Sequence, residues 1–269
     1  MNVGFVGLGD QGLPIAIRLS TAGGWSTVVW ARRPASLEPL RDANVVVAGS
    51  LAELGACSGI VGICVSDDAA VDEVVTTVVP AMRPGTTVLI HSTVLPDTVR
   101  RLALWAAEQG IDLIDAPVSG GSDAALEGRM AVLVGGPQEV LERVRPMLAH
   151  FATTIALLGP VGAGEAAKLV NNVLMMANGG VLLEALASGT EAGVERSDLI
   201  DAIAASSGGS YVLNRLGRHS SAPLVAHVAA LLRKDLNLFE QMSGGSYGLL
   251  IKAAWRYVDH LEAILREME

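Results

Sequence analysis

The sequence predicts an α/β protein in two parts: a doubly wound, mostly parallel sheet over residues 1–160, followed over 161–269 by an all-α region built on one long central helix. Three observations carry this expectation. Short runs rich in β-branched residues alternate with helix-period stretches through the first half, the pattern of successive βαβ units. Several of those runs are apolar at consecutive positions, as in strands covered by helices on both faces. From about Gly162 the strand signals stop and helix formers continue to the end of the chain.

Taken in order, strands are expected at residues 3–6, 27–30, 45–47, 60–65, 86–90, 113–114 and 132–134. A first helix is expected over 13–21. Gly159-Pro160 marks the boundary between the parts, because proline cannot continue a preceding helix and glycine permits the turn. The helix that follows, over 163–193, would be about 45 Å long at 1.5 Å per residue. It is apolar on nearly every face, as in Val173-Leu174-Met175-Met176-Ala177, and so needs partners all round. That predicts a homodimer or homotetramer assembled through this helix. Further helices are expected near 197–206, 222–242 and 247–268.

With 51% hydrophobic residues in 269, the chain has ample apolar surface for a core, which excludes disorder as its main state. The net charge of −9 is spread without any Lys/Arg-rich run, which argues against a nucleic-acid partner. No apolar stretch reaches the roughly 18 uninterrupted residues of a membrane span, so no membrane partner is expected. The start of the chain reads as a strand and not as a leader, which predicts a cytoplasmic protein. Cys57 and Cys64 have no histidine at ligand spacing, and neither a disulfide framework nor a metal site is expected.

Chemistry enters at the first turn. Gly7-Leu8-Gly9-Asp10-Gln11-Gly12 is Gly-x-Gly-x-x-Gly after a strand and at the head of a helix, the Rossmann-type dinucleotide fingerprint. Its glycines allow a tight turn and close approach of the backbone to a pyrophosphate, while the helix end supplies N–H donors. The acid that would hold the ribose 2'-hydroxyl of NAD is missing after the second strand. Trp30-Ala31 leads instead into Arg32-Arg33-Pro34, and a guanidinium there suits the 2'-phosphate of NADP. NADP (NADPH) is the expected cofactor, with NAD possible.

Two later segments carry further chemistry. Asp115-Ala116-Pro117-Val118-Ser119-Gly120-Gly121 offers a hydroxyl and backbone N–H groups suited to a carboxylate. In the long helix Lys168 and Asn172 lie four apart and face the same way. Burial of a lysine favours its neutral form, which a general acid/base needs near neutral pH. Lys234, in Lys234-Asp235-Leu236, is another candidate cation.

These segments together resemble the β-hydroxyacid dehydrogenase family, on GLGDQG, DAPVSGG, GPVGAGEAAKLVNN and KDL in order, over nearly the whole chain. The resemblance implies a 6-phosphogluconate-dehydrogenase-like C-terminal domain and hydride transfer between nicotinamide and a small β-hydroxy acid or its semialdehyde. It implies Lys168 as catalytic acid/base, Asn172 as a positioner of substrate, and Ser119 and Gly120 as holders of the substrate carboxylate. Val65, Ser66 and Thr93 would line the nicotinamide side, Lys234 would lie over the cofactor, and Gly7, Leu8, Gly9, Gln11 and Gly12 would form the phosphate turn. Arg32 falls where NADP-preferring members carry their phosphate-binding arginine. The chain departs from the pattern at Gln11 (often Met), His91 (often Asp), Ser66 (often Pro) and the Gly244–Tyr247 stretch. An imine reductase on the same scaffold and a non-catalytic NADP-binding module are the alternatives.

Overall fold

The computed structural model of the chain describes residues 2–215 and 222–268. It divides into two compact units, Met1–Lys168 and Leu169–Glu269.

In the first unit, nine strands among the described residues form one sheet in the order β3-β2-β1-β4-β5-β6-β8-β7, with β9 added on β8. β1 (Asn2–Val6), β2 (Ser26–Trp30), β3 (Val45–Val47), β4 (Ile60–Ile63), β5 (Thr87–Ile90) and β6 (Asp112–Asp115) run parallel. β8 (Met130–Gly135) runs antiparallel to β6 and β7 (Val118–Ser119), and β9 (Ala152–Gly159) runs parallel to β8. The chain leaves β1 toward β2 and β3 on one side and returns to β4 on the other, so the strand order reverses beside β1. Ligands of open α/β sheets bind at the carboxyl ends of strands next to such a reversal.

Strand periodicity explains why the sheet is buried on both faces. Val3, Phe5 and Leu89 point into one apolar cluster with Ile15, Leu19 and Phe151, while Val6, Val88 and Ile90 point into another with Val71, Val75 and Leu102. The first cluster is covered by α1 (Gly12–Ser20) and α6 (Gln138–Leu148), the second by α2 (Leu51–Cys57), α3 (Asp68–Val78) and α4 (Pro96–Ala107). The short helix α5 (Gly121–Leu126) follows β7.

Two strands escaped the sequence reading. β7 has two residues, too few for any period. β9 lies beyond β8 and leaves Thr153, Thr154, Leu157 and Leu158 exposed, so its polar and apolar residues come in pairs and not in alternation. The expected strand at 60–65 stops at Ile63, and Cys64 and Val65 belong to the loop after it.

The second unit is helical. α7 (Ala163–Glu191) continues into it from the first, followed by α8 (Arg196–Ala204), α9 (Ala222–Ser243) and α10 (Gly248–Met268). α7 and α10 meet backbone to backbone: a Cβ on Gly180 would lie 1.9 Å from the Ala253 carbonyl oxygen, and one on Gly179 2.6 Å from the Tyr257 ring. α9 and α10 are tied by Arg233, which donates to Glu262 at 2.8 Å and lies 5.0 Å above the Trp255 ring, while the Trp255 indole donates to Glu240 at 2.7 Å. The glycine-rich stretch between them is a left-handed turn, with φ of 62° at Gly244 and 74° at Gly245.

The expectation that no segment is long and apolar enough to cross a membrane is corrected by α7, whose 29 residues meet that test by length and composition. Its glycines and asparagines interrupt a run of apolar letters but not the helix. Its packing on α10 accounts for part of its apolar surface.

His91 stands at the end of β5 with 2% exposure, its ring stacked on Phe5 at 6.0 Å and edge-on to Phe151 at 5.7 Å. Nδ1 lies 2.8 Å from the Ala116 carbonyl, which only accepts, so Nδ1 carries the proton. Burial pulls its pKa from 6.5 down to about 4. Between those values the unfolded chain binds a proton that the folded chain does not, so stability falls as pH drops through that window, by about 3 kcal/mol in full. Asp115, whose carboxyl burial raises, acts in the opposite sense. A His91→Leu variant is therefore expected to lose less stability than the parent between pH 7 and pH 4.5. Urea midpoints at the two pH values check this; equal losses would refute it.

Candidate functional site

At the carboxyl end of β1 the chain turns through Gly7 at φ 96°, where a Cβ would sit 2.0 Å from the Cys64 carbonyl oxygen. A Cβ on Gly12 would lie 1.9 Å from the Gly7 carbonyl oxygen. Both positions bring backbone against backbone, so side chains are sterically forbidden. Gly9 differs, since a Cβ there would meet no atom within 4 Å. Gln11 places no side-chain cap on α1, whose first turn also lacks an acid. Leu8 packs against the first apolar cluster, which anchors the turn from below. Arg32 is exposed just after β2, beside the same end of the sheet.

The next loops are held by hydrogen bonds between strand ends. The Val65 N–H donates to Ser92 Oγ at 2.8 Å, joining the loop after β4 to the segment that carries Thr93. Ser66 Oγ donates to Asp67 at 2.7 Å, and Asp67 caps α3 through the Ala70 N–H at 2.9 Å. Asp68 accepts from the Leu95 N–H at 3.0 Å and from Thr98 at 2.6 Å. Ser119 and Gly120 lie at the turn into α5, Gly120 at φ 134°. The fold thus brings the Gly7–Gly12 turn, Val65, Ser66 and Thr93 to the carboxyl ends of the adjacent strands β1, β4 and β5.

Lys168, on α7, is 7% exposed. The first turn of that helix is capped from outside by Asp115, at the end of β6, which accepts the Gly162 N–H at 2.7 Å and the Glu165 N–H at 2.9 Å. Burial pushes the Asp115 carboxyl up, and these backbone donors oppose the shift. Glu165 is fully buried and accepts the Val94 N–H at 3.2 Å. In the second unit Asn172 donates to Asp235 at 2.6 Å and accepts from Asn171 at 3.1 Å, while the Lys234 amine lies 3.0 Å from Asp235. Asp235 is 2% exposed and joins Asn172 to Lys234.

The sequence reading did not single out Asp235, Asp115 or Glu165 as site residues. The only local signal for Asp235 was an acid adjoining Lys234 in an apolar stretch, and Asp115 was read merely as the first residue of its motif.

The open space above Gly9, flanked by two glycines in close backbone contact, fits a pyrophosphate against the head of α1. Gly9→Ala is expected to keep the parent's melting temperature within a few degrees while weakening NADPH binding more than tenfold by fluorescence titration. Unchanged affinity would show that nothing needs that space.

Comparison with known proteins agrees with this geometry. Residues 2–159 match the family model described as the NAD binding domain of 6-phosphogluconate dehydrogenase, and residues 162–249 the one described as the NAD-binding region of NADP-dependent 3-hydroxyisobutyrate dehydrogenase. The chain is 35% identical to 2-(hydroxymethyl)glutarate dehydrogenase of Eubacterium barkeri over 221 residues, 79% of this chain and 71% of that protein. It is similar to the solved structure of 3-hydroxyisobutyrate dehydrogenase from Mycobacterium tuberculosis with L-serine, at a TM-score of 0.85 and 26% identity, over 100% of this chain and 99% of that one. An imine reductase from Myxococcus stipitatus, 19% identical with a TM-score of 0.70 over 97% of this chain and 99% of its own, shares the fold. On its glycine turn, its sheet order and these matches, the chain belongs to the β-hydroxyacid dehydrogenase family and is an NAD(P)-dependent oxidoreductase of small hydroxy acids.

Proposed function

We propose that this enzyme interconverts a β-hydroxy acid and its semialdehyde with NADP(H) in preference to NAD(H), using Lys168 as the general acid/base. The observation that carries the reading is a lysine 7% exposed on α7, six residues beyond the buried cap of that helix. The bound nicotinamide supplies or accepts the hydride. Lys168 takes the hydroxyl proton in oxidation and returns a proton to the forming alkoxide in reduction, an assistance typically worth about 10² to 10⁴ in rate. Ser119 and the backbone N–H groups around Gly120 hold the substrate carboxylate. Asn172, its amide fixed by Asp235 at 2.6 Å, orients the substrate hydroxyl. The dinucleotide is assigned to Gly7, Leu8, Gly9, Gln11, Gly12, Val65, Ser66 and Thr93, with Lys234 as a further contact.

The substrates named for the relatives support the class. L-Serine, 3-hydroxyisobutyrate and 2-(hydroxymethyl)glutarate all carry a hydroxymethyl group on the carbon next to a carboxylate. Reduction of a C=N bond stays the second reading, ranked lower because the imine reductase shares only the fold at 19% identity, whereas the hydroxy-acid dehydrogenase relative is 35% identical. Assembly through α7 belongs to the same proposal: Val170, Leu174 and Val181 are 48, 51 and 59% exposed, and a cleft of about 460 Å³ lies beside Val181 and Trp255. A homodimer or homotetramer in the cytoplasm completes it.

Two measurements test this reading. Lys168→Ala is expected to lower kcat by at least a hundredfold with NADPH affinity within a few-fold, followed at 340 nm with a panel of semialdehydes; a variant that retains turnover refutes the role. Arg32→Glu should lower the ratio of kcat/KM for NADPH to that for NADH by tenfold or more, since it replaces a phosphate partner with a like charge. An unchanged ratio would remove Arg32 from cofactor choice.

A further inference from the structure

Three groups of the first unit converge on the start of α7. Asp115 is 0% exposed and takes the N–H groups of Gly162 and Glu165. Glu165 is likewise 0% exposed and takes the Val94 N–H, one residue past Thr93. Lys168 follows Glu165 by three positions, the spacing that puts two side chains on one helix face.

Two glycines are keyed to this arrangement. A Cβ on Gly135 would lie 2.6 Å from both Asp115 carboxylate oxygens, and one on Gly164 would lie 2.8 Å from Oδ2. The carboxylate therefore occupies space that β8 and α7 both leave open. Two buried carboxylates are an expensive way to start a helix, because desolvation of each charge works against folding and an exposed serine or aspartate caps a helix without that penalty.

What the burial secures is position. Asp115 ends β6 four residues before Ser119, and the Ala116 carbonyl between them is held by His91 at 2.8 Å. Glu165 reaches the segment after β5 that carries Thr93. The first turn of α7 is thus fastened both to the strand leading into the Ser119 turn and to the Thr93 segment. We propose that Asp115 and Glu165 are positioning residues, which hold Lys168 in register with the Ser119 turn and the Thr93 segment so that one proton transfer is presented at a fixed place.

This inference rests on Lys168 being the acid/base, and the test separates the two. Asp115→Asn and Glu165→Gln keep size and remove charge, and each is made in the parent and in Lys168→Ala. Turnover is expressed per NADPH-binding molecule, so that the glycine turn of the same unit counts the folded fraction. Each variant is expected to lose at least tenfold in kcat, with the KM for NADPH within twofold. In the Lys168→Ala background neither should lose more than twofold further, because a residue acting through Lys168 has nothing left to position.

A merely structural role predicts the same loss in both backgrounds, and that result, or full turnover in the single variants, overturns the inference while leaving Lys168 in place. Retained activity in Lys168→Ala alone would instead refute the underlying reading. Hydrogen exchange on the unaltered holoenzyme decides the matter if the variants fail to bind NADPH. The amides of Gly162, Glu165 and Val94 should exchange as slowly as those of β5, and exchange at the rate of an exposed loop overturns the proposal.

Discussion

The Asp115 carboxylate, taking backbone N–H groups at the head of α7, is the interaction on which the arrangement of the first unit depends. Without a partner, those donors would be buried and unsatisfied, a penalty of about 1 to 3 kcal/mol each. With it, a strand end and Gly162 at the head of α7, 47 positions later, become one piece. The same strand end leads into the turn of Ser119, so the helix of Lys168 and the Ser119 turn share one anchor. Burial raises the pKa of that carboxyl, and the backbone donors at the head of α7 oppose the shift.

Elsewhere the ionic contacts are of a different kind. Arg100–Asp97 and Arg145–Glu142 are exposed pairs three residues apart on one helix, where solvent screening leaves little net stabilisation. Stability rests on the two apolar clusters sandwiching the sheet, and on the close contact of α7 with α10 that Gly179 and Gly180 permit. The charged groups that matter are the buried ones, Asp115, Glu165 and Lys168 in the first unit and Asp235 in the second. Asp115, Glu165 and Asp235 are each held by backbone N–H groups, a side-chain amide or an opposite charge, which is why the fold tolerates them.

Much of this was legible in the residues. The apolar runs at 3–6, 27–30 and 86–90 coincide with β1, β2 and β5 to within a residue because a strand buried on both faces needs no alternation, only length and β-branched composition. The long helix was readable to within two residues because α7 holds its apolar composition across eight turns. β9 was not, since its exposed residues fall in adjacent pairs and leave no strand period to read. Lys168 could be picked out because a charge within an apolar helix is anomalous by itself. Asp235 and Glu165 are ordinary acids beside ordinary neighbours, and only their burial distinguishes them.

The local rules by themselves determined the order of the elements, the glycine turn after β1 and the residue types available for proton and anion binding, because period, steric freedom and side-chain chemistry act over a few neighbouring residues. The tertiary structure alone decided which of the acids became structural anchors. Asp115 meets Gly162 across 47 positions and Asn172 meets Asp235 across 63, separations over which no sequence period carries information. What selects those partners is the packing of strands and helices that brings them within 3 Å and removes the water between them.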